Sequence, residues 1–132
     1  MLKQGILHPQ LATVLANLRH MDTLVLGDAG LPVPKGVERV DLGWRPGDPK
    51  YLDVLEELMK WIVVEKATFA TQSKTVSPDF HAQALKLLPD GIPVDYIDHT
   101  ELKARSKDAK AIILTGEFTP YTNVILQCGC AY

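Results

Sequence analysis

At 132 residues, with 46% hydrophobic and 23% charged side chains, the chain has the size of one domain and the balance of a folded one, which excludes intrinsic disorder. A formal net charge of -2, from 14 basic and 16 acidic residues, leaves no basic footprint for nucleic acid or an anionic membrane surface. The longest aliphatic runs, residues 61–64 and 111–114, fall far below the ~18 residues of a bilayer span, and no apolar signal stretch follows Met1, so a cytoplasmic location is expected.

Leu11, Val14, Leu15 and Leu18 follow the i, i+3, i+4, i+7 spacing of a one-faced helix. Pro9 suits its first position, His8 its N-cap, and the predicted helix runs over 9–19 with His20 at its C-terminal end. Residues 23–26, Thr-Leu-Val-Leu, read as a buried strand that stops in the Gly- and Pro-rich loop 27–34. A second strand is predicted over 37–42. Leu52, Leu55, Leu58, Met59 and Ile62 mark a second helix that merges into a strand over 63–70. Ser77-Pro78-Asp79 starts a third helix, with Ser77 as its cap, and Gly91 and Pro93 stop it. A strand over 94–97, a short helix opened by His99, a strand over 110–114, a loop over 115–120 and a strand over 124–127 complete the chain.

Strands alternating with helices predict a single-domain α/β fold with a largely parallel central sheet flanked by helices. Sites on such sheets gather at the carboxyl ends of strands. That rule puts Asp28, His99 and the loop 116–123 on one rim.

Each polar residue there has a structural and a chemical reading. A histidine ending a helix is usually only a cap, yet His20 is also a general acid in waiting, the more so if Asp28 returns beside it. Asp28 is a turn former by residue type, but Pro32 and Pro34 stiffen its loop and hold the carboxylate in place. The loop lacks the G-x-G-x-x-G spacing of a phosphate cradle. His99 and His81 each have an ordinary helix-start reading. Tyr121, Thr122 and Asn123 supply the hydroxyl and amide groups that match sugar hydroxyls, while Glu117 reads as an exposed loop acid. No His or Cys spacing forms a metal site, and Cys128 and Cys130, two apart on a strand, read as buried small hydrophobes on one face.

Several stretches carry a more specific signal: Lys3-x-Gly5-Ile6-Leu7, His20-x-Asp22-Thr23, and Asp28-Ala29-Gly30-Leu31-Pro32-Val33-Pro34. Val64-Glu65-Lys66, Lys107-Asp108-Ala109-Lys110-Ala111, and the run from Thr115 to Gln127 that contains Thr-Gly-Glu-Phe-Thr-Pro-Tyr-Thr-Asn extend it. Together they make the chain resemble the ribose pyranase and fucose mutarotase family over essentially its whole length. The resemblance implies an isomerase that interconverts the pyranose and furanose forms of free D-ribose, with no cofactor and no metal. It implies His20 as proton donor and Asp28, His99, Tyr121, Thr122 and Asn123 as substrate-binding residues. It also implies a ring-forming homo-oligomer, a decamer of two pentameric rings, with sites near subunit contacts. Gly30-Leu31-Pro32 is the ribose-type form of its loop. The departures are Leu114, where many members have arginine, Thr122, where alanine is usual, and the Cys-Gly-Cys-Ala-Tyr tail.

The chemistry expected of these residues is ring opening by proton transfer. His20 would protonate the ring oxygen with Asp28 orienting and charging it, and water or His99 would take the anomeric proton. Two alternatives stand beside it: a mutarotase for fucose or another monosaccharide, and a cytoplasmic sugar-binding accessory without catalysis.

Overall fold

The computed structural model describes residues 1–132. Its elements are α1 (Pro9–Ala16), β1 (Thr23–Gly27), β2 (Glu38–Asp41), α2 (Tyr51–Trp61), β3 (Val64–Ala70), α3 (Ser73–Val76), α4 (Pro78–Leu87), β4 (Val94–Ile97), α5 (His99–Arg105), β5 (Ala111–Leu114) and β6 (Val124–Cys128). A 3-10 turn, Ser106–Asp108, joins α5 to β5. No helix is long and apolar enough to cross a membrane.

The strands form one six-stranded sheet in the order β2-β5-β1-β6-β3-β4. β5 lies parallel between β2 and β1, and β3 pairs parallel with β4. Only β6 runs against its neighbours, β1 and β3, so the sheet is mixed, with its antiparallel strand in the middle. Five strands therefore end on one edge, and β6 begins there. That reversal brings the residues before Val124 onto the same rim as those after β1, β3, β4 and β5.

The main core fills the face covered by α1, α2 and α4, where Leu11, Val14, Leu24, Leu26, Leu55, Leu58, Phe69 and Leu126 are buried together. Alternation along the strands sends Val25, Ile112 and Leu114 to the other face, under Leu31 and Ala109. There the cover is the proline-rich loop rather than a full helical layer. Leu114 packs inside this apolar cluster, which accounts for an aliphatic residue at that position.

Three local expectations are corrected. α1 ends at Ala16 with Asn17 as its C-cap, three residues short of the predicted end, so His20 caps no helix. Asn17 closes the helix with its side-chain amide donating to the Thr13 carbonyl at 2.8 Å, beside its own backbone N–H. Ser77 precedes α4 but does not cap it through its side chain; its hydroxyl donates to the Pro120 carbonyl at 3.1 Å, tying α4 to the loop before β6. Cys128 is buried at the end of β6, whereas Cys130 lies beyond the strand and is exposed, so the two thiols do not share a face. The expected His8 cap is present, its Nδ1 accepting from the Leu11 amide at 3.2 Å.

Candidate active site

β1 ends in Gly27, and the absent side chain there decides what can approach. A Cβ at Gly27 would lie 2.7 Å from Leu31 Cδ2 and 3.0 Å from Asn123 Oδ1. The space is taken by Asn123, which is 1% exposed just before β6. Its Oδ1 accepts from the Asp28 backbone amide at 2.8 Å, and its Nδ2 donates to Asp28 Oδ2 at 3.1 Å. The other carboxylate oxygen, Oδ1, accepts from the Gly30 amide at 2.9 Å. Asp28 thus enters the cleft as a fixed acceptor.

The loop after β5 is stitched to the same place. Thr115 Oγ1 donates to the Gly27 carbonyl at 2.9 Å, and the Ala29 amide donates to the Glu117 carbonyl at 2.9 Å. Glu117 spends its carboxylate on its own turn, accepting from the Phe118 and Thr119 amides at 3.1 and 3.0 Å. Its expected role as a loop acid is therefore structural. Thr122 is buried and its hydroxyl donates to the Thr119 carbonyl at 3.2 Å. It shapes the loop from behind.

His99 opens α5 behind Asp98, whose carboxylate accepts from the Thr100 amide at 2.8 Å. Hydrogen bonds from the Thr100 hydroxyl and amide, then from Gln72, hold the Asp98 carboxyl below the usual range. Gln72 also accepts the His99 backbone N–H at 3.1 Å through Oε1 while its Nε2 donates to Asp98 at 2.8 Å. The His99 ring stands edge-on to Tyr121, with centroids 5.0 Å apart at 88°. Tyr121 reaches that position with a left-handed backbone, φ 60°.

Burial lowers the His99 pKa, Lys103 pushes the same way, and the Asp28 and Asp98 carboxylates oppose both. The ring is therefore a neutral donor and acceptor at neutral pH. Its Nδ1 is buried without a partner. A cleft of about 480 Å³ opens beside these groups, lined by Asp28, Ala29, Gly30, Glu117, Phe118 and Pro120.

The rim rule thus brings Asp28, His99, Tyr121 and Asn123 together. It does not bring in His20. That residue precedes β1 and Asp28 follows it, so the strand separates them by on the order of 13 Å. The expectation that Asp28 orients and charges His20 within one chain is corrected. His20 is instead half-exposed on the opposite edge, with Nε2 3.2 Å from Glu65 Oε2. It borders a separate apolar cleft of about 280 Å³ lined by Leu15, Leu18, Trp61, Ile62 and Tyr132, among others.

Two residues near the site escaped the sequence reading. Gln72 lies just past the carboxyl end of β3, where the rim rule points, in a segment, 71–76, that the predicted elements leave out. Tyr51 is fully buried at the start of α2, and its hydroxyl has no hydrogen-bond partner. Burial, reinforced by the Asp28 carboxylate, raises its pKa well above the ordinary value. Its place in the periodic apolar face of α2 gave no sign of this.

The chain is similar to known proteins over its whole length. Residues 1–131 match the model of the RbsD / FucU transport protein family. The D-ribose pyranase of Streptococcus uberis is 43% identical over 129 residues, covering 98% of each chain. D-ribose pyranase 1 of Rubrobacter xylanophilus is 46% identical over 132 residues, the full length of both chains. Among solved structures, Bacillus subtilis RbsD complexed with D-ribose superposes with a TM-score of 0.95 at 43% identity, over 100% of both chains. A fucose mutarotase from Streptococcus pneumoniae, in complex with L-fucose, shares the fold with a TM-score of 0.72 at 24% identity and 94% coverage of each chain.

Proposed function

Because the chain belongs to the RbsD / FucU family, we propose that it is an isomerase that interconverts the pyranose and furanose forms of D-ribose. The observation that carries this reading is the fixed Asp28–Asn123 pair facing His99 and Tyr121, in a chain that superposes at TM-score 0.95 on a relative complexed with D-ribose.

The reaction opens one hemiacetal and closes another. The C1–O5 bond breaks as O5 gains a proton and the anomeric hydroxyl loses one, leaving an open aldehyde. O4 then attacks C1 and gives up its proton as the aldehyde oxygen gains one. Asp28 accepts from a sugar hydroxyl, the neutral His99 offers Nδ1 as an acceptor, and Tyr121 and Asn123 complete the cradle. Acid–base assistance of this kind contributes about 10²–10⁴-fold.

His20 is the proton donor in this reading, and its distance from Asp28 in one chain makes assembly part of the mechanism. A second copy presents its His20 edge to the Asp28 rim of the first, and head-to-tail contacts of that kind close into rings. A decamer of two pentameric rings in the cytoplasm is the form we propose. Ribose is favoured over fucose because the relative solved with D-ribose is 43% identical whereas the one solved with L-fucose is 24% identical.

The test is saturation-transfer NMR on D-ribose with pure protein. Wild type is expected to accelerate exchange between ring forms, and His20→Ala to lose that acceleration. Ribose binding with no acceleration in the wild type would make the protein a sugar-binding accessory instead.

A further inference from the structure

Glu65 is the extra residue of a β-bulge. β3 pairs Val64 with Cys128 and Lys66 with Gln127, two steps against one, so Glu65 has no partner across the ladder. Bulges re-aim side chains, and this one turns Glu65 toward the residues before β1. Both carboxylate oxygens are engaged there. Oε2 lies 3.2 Å from His20 Nε2, and Oε1 accepts from Gln127 Nε2 at 2.7 Å. Gln127 in turn lies 3.3 Å from the Met21 sulfur, beside His20. Gly129 closes the other side, where an added Cβ would come within 3.2 Å of Glu65 Cβ and Oε2.

The backbone carrying His20 is pinned as well. The Met21 amide donates to the Cys128 carbonyl at 3.0 Å, the Cys128 amide to the Asp22 carbonyl at 2.8 Å, and the Arg19 amide to the Asp22 carboxylate at 2.8 Å. Imidazole and carboxylate therefore meet from a pinned turn and a bulged strand.

We propose that Glu65 is a positioning residue for His20: it accepts the Nε2–H and so assigns Nδ1 as the nitrogen that exchanges protons with the sugar. This rests on the reading of His20 as the ring-opening acid. A carboxylate can only accept, so the nitrogen facing it must carry hydrogen. In the neutral ring that leaves Nδ1 bare, and in the charged ring Nδ1–H is the proton free to leave. Gln127 keeps the carboxylate from swinging away.

The same geometry dictates the effect of Glu65→Gln. Gln127 still donates, so the new amide turns its oxygen to Gln127 and its NH2 to His20. His20 Nε2 must then accept, and the neutral ring carries its hydrogen on Nδ1, which leaves that nitrogen no lone pair with which to take a proton back from the sugar. Glu65→Gln is expected to lower kcat by about 10²-fold with KM within roughly twofold. Adding Gln127→Ala frees the amide to flip and present its oxygen to His20, so the double variant is expected to be faster than Glu65→Gln alone. A packing role for Glu65 predicts the opposite order.

The experiment pairs ring-exchange kinetics with long-range ¹H–¹⁵N correlation of the His20 ring, at a pH where it is neutral. Expected are an Nε2–H tautomer in wild type, Nδ1–H in Glu65→Gln, and partial recovery of kcat in the double variant. An Nδ1–H tautomer in wild type, or full kcat in Glu65→Gln, overturns the proposal. Wild-type protein that shows the Nε2–H tautomer but does not accelerate ribose exchange would instead defeat the functional reading and leave the Glu65 assignment standing.

Discussion

Asn123 grips Asp28 with both ends of its amide: the oxygen takes the backbone N–H at 2.8 Å, and the nitrogen gives to the carboxylate at 3.1 Å. Only one orientation of the amide satisfies both bonds, so each residue fixes the other across the junction of β1 and β6. Asn123→Ala leaves the part-buried Asp28 amide and carboxylate each short of one partner. It is expected to cost about 1–3 kcal/mol of stability and to raise the KM for ribose, read by thermal melting and exchange kinetics.

Gly27→Ala attacks the same pair through the backbone. The new methyl would meet Leu31 Cδ2 at 2.7 Å and Asn123 Oδ1 at 3.0 Å. Overpacking of this kind costs about 1–3 kcal/mol, and pushing Asn123 off Asp28 should weaken ribose binding as well. Calorimetric titration with ribose measures the second effect separately from the first.

Tyr51→Phe is expected to stabilise the protein. The hydroxyl is buried and unpaired, so folding strips it of water without return. Removing it should raise stability by about 1 kcal/mol, seen as a higher melting temperature at unchanged fold.

His99 gives the site an acid limit. Burial, then Lys103, holds its pKa below the ordinary histidine value of 6.5. Ribose affinity should therefore stay level as pH falls to the ordinary histidine range and drop only below it, as Nδ1 takes a proton and ceases to accept. His99→Gln should abolish that acid limb, measured by titration across pH.

His81 makes a related contribution to stability. Burial, then Lys74, lowers its pKa, and its Nε2 lies 2.8 Å from the Tyr96 hydroxyl. The unfolded chain then binds a proton at a higher pH than the folded one. Stability must fall as pH drops through the ordinary histidine range and stop falling from this source below the folded pKa. The pH dependence of the melting temperature should flatten in His81→Gln.

The rim was legible in the sequence because strand ends carry it: the abrupt stop at Gly27-Asp28, the Asp98-His99 helix start and the Thr115–Asn123 loop are local signals. Strand direction was not. β6 pairs antiparallel between β1 and β3, a choice made by long-range packing that no residue in 124–128 announces. His20 shows the sharper limit. Its neighbours in the chain suggested a helix cap aided by Asp28, whereas its partner is Glu65, 45 residues away and aimed by a bulge that hydrophobic periodicity does not reveal. Gln72 and Tyr51 stayed hidden for a similar reason, since their polar ends matter only once separate elements have met.

The central claim is that a working pocket joins the Asp28 rim of one copy to the His20 edge of another. Co-refolding equal amounts of His20→Ala and Asp28→Asn, each expected to be inactive alone, tests it by ribose ring-exchange NMR. Mixed rings built from head-to-tail contacts should regain activity in roughly one site in four. Mixed assemblies that form and remain as inactive as either parent would contradict the account.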